Sequence, residues 1–169
     1  MKAVVVYESL WGNTAAIARA IAEGVGPECR ALSTAEACAA EIEGVDFVIA
    51  GAPILGFTLP TDSMRQQEAT DRKAPKPADL SHPSMRNWLK TLPKGSGQCA
   101  SFETRIWWSP GSSAKQILSG LERAGYRPLG REKFLVTGGY GPLKDGETER
   151  AREWGSKLAH AATQAVHRS

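Results

Sequence analysis

The chain has 169 residues, of which 41% are hydrophobic and 23% are charged, a composition typical of one globular domain with a substantial core. Its formal net charge of +3 comes from scattered basic residues, which predicts no nucleic-acid interface. No apolar run approaches the roughly 20 residues of a membrane span and no signal-peptide pattern is present, so we expect a cytoplasmic protein that does not contact membranes.

The cysteines and histidines do not follow a ligand pattern. Cys29, Cys38 and Cys99 are odd in number and far apart in sequence, which favours reduced thiols over a disulfide. The histidines lack metal-ligand spacing, so no metal site is expected.

Strand and helix candidates alternate along the chain. The apolar run from Lys2 to Tyr7 predicts a buried strand, and the alanine-rich segment from Asn13 to Val25 predicts a helix with apolar residues at helical spacing. Further strands are predicted at residues 29–32, 45–50, 98–102 and 129–136, and further helices at 34–42, 85–92, 114–124 and 147–165. The alternation indicates an α/β fold in a single domain spanning residues 1–169, with a doubly wound five-stranded parallel sheet and helices on both faces.

One connection is much longer than the others. Between Pro53 and Pro83, about 30 residues show little hydrophobic periodicity, although residues 62–72 could form a short polar helix. Connections of this length usually carry a function or move. We therefore expect a loop or lid here, and the alternative is a solvated insertion without a role.

The connection after the first strand predicts a phosphate site. A strand that turns through Gly12-Asn13-Thr14 into a helix directs backbone N–H groups and the positive end of the helix dipole toward one point. The hydroxyls of Ser9 and Thr14 lie in the same segment. The alternative is that Asn13 or Thr14 is an ordinary N-cap and Gly12 an ordinary turn glycine.

With strand, Ser-x-x-Gly-Asn-Thr and helix in this order, the chain resembles the flavodoxin family. Ser9, Gly12, Asn13 and Thr14 match the family's motif for the FMN phosphate, whereas Trp11 stands where a second hydroxyl is usual. The resemblance implies non-covalently bound FMN with its phosphate between Ser9 and Thr14. The missing hydroxyl removes one hydrogen bond, a loss of about 1–2 kcal/mol if nothing replaces it.

Two later loops resemble the flavodoxin loops that contact the isoalloxazine ring. The segment from Gly51 to Phe57 is similar to the family's Gly-x-Pro-Thr loop, and Phe57 is the aromatic residue that could stack on the ring. The segment from Phe102 to Trp108 follows the fourth strand and is similar to the second ring-contacting loop. The resemblance implies these cofactor-binding residues: Ser9, Leu10, Trp11, Gly12, Asn13, Thr14, Pro53, Ile54, Leu55, Gly56, Phe57, Glu103, Thr104, Arg105, Trp107 and Trp108.

The expected topology brings these loops together. In an open doubly wound sheet, ligands bind beyond the carboxyl ends of the strands, where the strand order reverses. For the flavodoxin order 2-1-3-4-5, this crevice lies between the first and third strands. The first two loops would flank it and the third would lie beside it.

Other proteins with a similar element order need motifs that this chain lacks. A response-regulator receiver needs an acidic pair after the first strand, where this chain has Glu8-Ser9. A dinucleotide-binding fold would show Gly-x-Gly-x-x-Gly there, and only Gly12 is present.

Two redox functions follow from the resemblance. The first is electron transfer with a redox partner protein or a small-molecule electron acceptor. The second is an NAD(P)H-dependent quinone-type reductase. The mildly basic charge differs from the acidic flavodoxin carriers, but a ring covered by Phe57, Trp107 and Trp108 would leave no room for a nicotinamide, which favours the carrier. No catalytic residue is predicted, because the cofactor carries the chemistry.

A function without a cofactor is a further possibility. Trp11, Ile54 and Leu55 depart from the usual flavodoxin residues. A flavodoxin-like binding module that has lost FMN would show departures of this kind.

Overall fold

The computed structural model describes residues 1–168 and contains a five-stranded parallel sheet with strand order β2-β1-β3-β4-β5. The strands are β1 (Ala3–Tyr7), β2 (Arg30–Ser33), β3 (Phe47–Pro53), β4 (Gln98–Arg105) and β5 (Arg127–Leu135). The helices are α1 (Asn13–Val25), α2 (Ala39–Ile42), α3 (Asp62–Ala69), α4 (Met85–Thr91), α5 (Ser113–Arg123) and α6 (Glu147–His167). The predicted fold class and strand order are therefore confirmed.

Helices cover both faces of the sheet, because successive strand residues point to opposite sides. On β1, Val4 and Val6 belong to a buried cluster with residues of α4 and α5, whereas Val5 belongs to a second cluster with residues of α1 and α6. A strand that is buried on both faces reads as a continuous apolar run rather than an alternating one. This explains the uninterrupted valines of β1.

Helices α1 and α6 lie against each other at backbone distance. A Cβ atom added to Gly24 of α1 would come within 1.9 Å of the carbonyl oxygen of Arg152, and one added to Gly155 of α6 within 2.2 Å of the carbonyl oxygen of Ile21. Only residues without a side chain allow this approach. Across residues 1–168, none of the helices has the length and apolar character needed to cross a membrane.

Strands β3 and β4 extend further than predicted. The sequence predicted β3 to end at Ala50 and β4 to end at Phe102, but Ala52 pairs with Glu103 and the ladder continues through Thr104. The polar residues Glu103 and Thr104 misled the prediction, since both are buried and both have hydrogen-bond partners inside the protein. Part of each predicted ring-contacting loop is therefore strand.

Helix α2 is shorter than predicted. Residues 34–36 form a turn and residues 37 and 38 are irregular, so neither segment is helix. Ser33 exchanges hydrogen bonds with Glu36 through its own backbone N–H and side-chain hydroxyl. The Trp88 indole N–H binds the Ala37 carbonyl oxygen at 2.8 Å, so that carbonyl has a partner outside the helix. Within the long connection, α3 begins at Asp62 as expected but ends at Ala69.

Candidate functional site

A cavity of about 300 Å³ lies at the carboxyl ends of β1, β3 and β4. This is the position that the strand order favours for a ligand. Arg105 and Glu68 are the charged side chains in its lining. Of the residues predicted as cofactor contacts, the structure brings these to the cavity: Ser9, Leu10, Trp11, Asn13, Thr14, Pro53, Ile54, Leu55, Gly56, Phe57, Thr104, Arg105 and Trp108.

The β1–α1 loop, residues 8–12, forms one end of the cavity. The Ser9 hydroxyl accepts the Gly12 N–H at 3.1 Å, which closes the loop on itself. Gly12 has φ +97°, a conformation that favours glycine. Gly12 does not line the main cavity but a neighbouring one of about 440 Å³ on the β2 side.

Several backbone N–H groups at this end are unpaired within the part of the chain that the structure describes. Among residues 1–168, the N–H groups of Leu10, Trp11, Asn13 and Thr14 donate to no protein acceptor. A helix start normally leaves such donors free, and they bind anions readily. The arrangement therefore fits a phosphate group.

The Thr14 hydroxyl lies at the inner side of this end. It is 2.8 Å from the Thr104 hydroxyl of β4, and both residues are buried against the cavity. One of the two hydroxyls must donate to the other, so the second can still donate outward. The pair adds a polar point beneath the free backbone donors.

The β3–α3 loop forms one wall. Leu55 and Thr58 pair through reciprocal backbone hydrogen bonds of 2.9 and 3.0 Å, with Gly56 and Phe57 as the turn residues. Both turn residues have positive φ, 51° and 68° respectively. A phenylalanine in this conformation is strained, and its ring is 56% exposed at the mouth of the cavity.

Glu103 does not reach the cavity. Its carboxylate accepts hydrogen bonds from the Ser112 hydroxyl at 2.6 Å, the Ala114 N–H at 3.2 Å and Arg105 at 2.9 Å. The residue is 2% exposed and caps the start of α5. It lies within β4 rather than in a loop, and its partners give it a structural role.

The adjacent tryptophans of the β4–α5 loop diverge. Trp108 lines the cavity, whereas Trp107 does not and is 75% exposed. Trp108 is itself 59% exposed, so the two rings are not buried together under the long connection. Gly111 follows them, and an added Cβ there would lie 1.9 Å from the Phe57 carbonyl oxygen, so the β3–α3 loop and the β4–α5 loop touch.

The strap, which we define as residues 70–84 between α3 and α4, holds the β1–α1 loop from outside. The Asp79 N–H donates to the Leu10 carbonyl oxygen at 2.8 Å, and the Trp11 indole N–H donates to the Lys76 carbonyl oxygen at 3.2 Å. Trp11 therefore anchors the strap, which explains why an aromatic residue replaces a hydroxyl in this loop.

Tyr140, after β5, contributes a contact that the sequence did not predict. Its ring packs edge-on against Trp11 at 4.8 Å, its carbonyl accepts from Asn13, and its hydroxyl donates to Asp71 of the strap. The bond to Asp71 raises the pKa of the Tyr140 hydroxyl to about 12. Other lining residues outside the predicted set are Glu68, Ile106, Ser109, Val136 and Gly139.

Behind the β1–α1 loop lies a buried cluster of titratable side chains. Arg65 Nε is 3.1 Å from Glu8 Oε2, and both side chains are almost fully buried. Burial raises the pKa of Glu8 to about 7, against the opposing effects of the Met85 N–H and of Arg65. His82 Nε2 accepts the Ser9 N–H at 3.1 Å.

Comparisons with known proteins identify the fold. No family model and no curated protein sequence matches the chain. A flavodoxin from the domain Archaea superposes with a TM-score of 0.65 at 18% identity, covering 96% of this chain and 99% of that one. Flavodoxin 1 from Bacillus cereus gives 0.66 at 17% identity, covering 95% and 98%.

A larger protein contains the same unit. The Flv1 flavodiiron core from Synechocystis superposes with a TM-score of 0.62 at 23% identity, covering 98% of this chain but 36% of that chain. The whole length of the flavodoxins and a part of the flavodiiron protein thus share one architecture with this chain. The chain has the flavodoxin-like fold, with its cavity beside the strands where the order of the sheet reverses.

Proposed function

We propose that the chain binds FMN non-covalently in the cavity of about 300 Å³ and transfers electrons through it. The observation that supports this most directly is the contrast between the two ends of the cavity. Unpaired backbone donors lie at the β1–α1 loop, and exposed aromatic rings lie at the mouth. A phosphate needs the first kind of surface and a flat aromatic ring needs the second.

The phosphate would be held without a charged side chain. The N–H groups of residues 10, 11, 13 and 14 would donate to it, and the hydroxyl pair of Thr14 and Thr104 would lie beneath. Arg105, the cation in the lining, is already bonded to Glu103 and to the Gly111 carbonyl oxygen. Backbone donors at a helix start stabilise an anion through the helix dipole as well as by hydrogen bonds.

The isoalloxazine ring of FMN would lie between the β3–α3 loop and the β4–α5 loop. Phe57 and Trp108 provide aromatic surface, and Ile54 and Leu55 provide an apolar wall. When bound, FMN supplies the one- and two-electron redox chemistry, and the protein binds, orients and shields it. An apolar wall disfavours extra charge on the ring, so it would make reduction of the ring to an anion harder.

The carrier role is favoured over a reductase by the rings at the mouth. Phe57 and Trp108 line the cavity, and rings stacked on the flavin from there would fill the space that a nicotinamide needs beside it. Electrons can reach a partner protein even when aromatic side chains cover the flavin. Hydride transfer, by contrast, needs direct contact between the nicotinamide ring and the flavin ring. The partner would be a redox protein or a small electron acceptor.

The test is a titration of the purified protein with FMN, in which quenching of the FMN fluorescence reports binding. The same titration with riboflavin, which lacks the phosphate, is the control. It separates the contribution of the phosphate end of the cavity from that of the aromatic mouth. We expect FMN to bind clearly more tightly than riboflavin. A colourless protein that binds neither at tens of micromolar would refute both redox functions and leave the binding module.

A second measurement separates carrier from reductase. The loaded protein is mixed with NADH or NADPH and a quinone, with and without a flavoprotein reductase. A carrier is reduced only when the reductase is present. Rapid NAD(P)H oxidation without it would assign the reductase function instead.

A further inference from the structure

His82, in the strap, holds the β1–α1 loop through a single acceptor atom. Its side chain is 5% exposed, and Nε2 receives the Ser9 N–H at 3.1 Å. Because an amide can only donate, Nε2 must carry a lone pair, so the ring is neutral and its proton is on Nδ1. This buried histidine has no part in the FMN contacts described above.

The surroundings of His82 keep the ring neutral. Asp79 lies 3.9 Å from Nδ1, and Arg65 donates to the His82 carbonyl oxygen at 2.6 Å while facing Glu8. Burial lowers the pKa of His82, Asp79 opposes this and Arg65 adds to it. His82 and Asp79 line the cavity of about 440 Å³ beside Gly12, and the other charged side chains in its lining are Arg19, Glu36 and Lys76.

We propose that neutral His82 is a positioning residue for the β1–α1 loop, and that its protonation releases Ser9 and weakens phosphate binding. The second half of this proposal rests on the FMN site proposed above. The first half concerns the protein alone and is tested without a ligand.

The connection from His82 to the phosphate site runs through Ser9. The Ser9 hydroxyl accepts the Gly12 N–H at 3.1 Å, so the orientation of Ser9 sets the backbone just before the unpaired donors of the helix start. When solvent delivers one proton to Nε2, the ring carries two N–H groups and no acceptor. The Ser9 N–H then faces another donor. The hydrogen bond between Ser9 and His82 is lost, and the β1–α1 loop moves away from the ring.

The variant that isolates this effect is His82→Gln. The side-chain oxygen of glutamine can accept the Ser9 N–H where Nε2 does, but it does not titrate. His82→Leu serves as the matched variant without an acceptor. FMN affinity is measured for all three proteins between about pH 5 and pH 8, the range in which a histidine changes charge.

We expect wild type and His82→Gln to bind FMN equally well near pH 8. As the pH falls through the pKa of His82, which burial lowers below the ordinary histidine value, the FMN affinity of the wild type should fall more steeply than that of His82→Gln. The difference should reach up to about tenfold per pH unit, the effect of one additional proton. The FMN phosphate titrates near pH 6 in both proteins, so its contribution cancels in the comparison. His82→Leu should bind about fivefold more weakly throughout, with the shallow pH dependence of His82→Gln.

The ligand-free readout is the ¹⁵N spectrum of the His82 ring and the chemical shift of the Ser9 amide. We expect the Nδ1–H tautomer and a Ser9 shift that follows the ring titration. Glu8 is the residue before Ser9 and also titrates, so the Ser9 shift in His82→Gln reports the Glu8 contribution alone.

The outcomes separate the two proposals. A Ser9 amide that does not respond to His82, or identical pH curves for wild type and His82→Gln, would overturn the positioning role. A Ser9 amide that follows His82 in a protein that binds no FMN at any pH would support the positioning role and refute the proposed function.

Discussion

The strained turn at Phe57 gives a prediction in which stability and ligand affinity respond differently. Phe57 has φ +68°, where an L-residue costs about 1–2 kcal/mol relative to its normal conformation. Replacing it with glycine removes this cost, less about 0.5–1 kcal/mol for the greater freedom of glycine in the unfolded chain. Replacing it with alanine removes the ring but keeps the strain.

The packing of the ring must be included as well. Phe57 is 56% exposed, so its buried part contributes about 1 kcal/mol of the roughly 1.5–3 kcal/mol that a fully buried phenylalanine provides. We therefore expect Phe57→Gly to stay within about 0.5 kcal/mol of the wild-type free energy of unfolding, and Phe57→Ala to be about 1 kcal/mol less stable than wild type.

The assay compares both variants with wild type by urea unfolding of the ligand-free protein and by FMN titration. Both variants lose the same ring, so both should bind FMN about 2- to 12-fold more weakly, which corresponds to an aromatic contact of about 0.5–1.5 kcal/mol. Equal stabilities for the two variants would refute the strain. Unchanged FMN affinity in both variants would show that Phe57 does not contact the isoalloxazine ring of FMN.

Three other changes test separate parts of the site. Gly12→Val should weaken FMN binding more than Ser9→Ala, because valine is disfavoured at φ +97° while the lost hydroxyl costs about one hydrogen bond; equal, small effects in the titration would place the phosphate elsewhere. Trp108→Ala should weaken FMN binding and Trp107→Ala should leave it unchanged, since only Trp108 lines the cavity; the same titration decides, and equal losses would contradict the geometry. Glu103→Gln should lower the free energy of unfolding by about 2–3 kcal/mol in urea, because the buried carboxylate both pairs with a guanidinium and caps α5; an unchanged midpoint would show that the charge is not needed.

The sequence predicted the fold well because its signals are local. The apolar runs, the Gly-Asn-Thr turn and the alternation of elements each lie within a short segment, and the strand order follows from few allowed topologies. The loops that carry the predicted site residues also converge, since parallel strands bring their carboxyl ends to one edge. Binding of FMN by these residues stays a prediction.

The residues that escaped prediction are fixed by contacts distant in sequence. Glu103 looked like a loop residue because a carboxylate is rarely buried. Its partners at the start of α5 cannot be predicted from a strand pattern. Tyr140 reaches Asp71 and Trp11 across the fold, and His82 reaches Ser9 from the far end of the long connection. No local periodicity marks such residues.

The close approach of α1 and α6 has a consequence for how variation reaches the cavity. Gly24 lies 11 residues along α1 from Asn13, about 16 Å at 1.5 Å per residue. A side chain introduced at Gly24 or Gly155 would push α1 away from α6, and a shift of the whole helix would also move its first residues and their unpaired N–H groups. Substitutions at the contact between α1 and α6, distant from the cavity, would thus alter the proposed binding of FMN while every residue of the cavity stays the same.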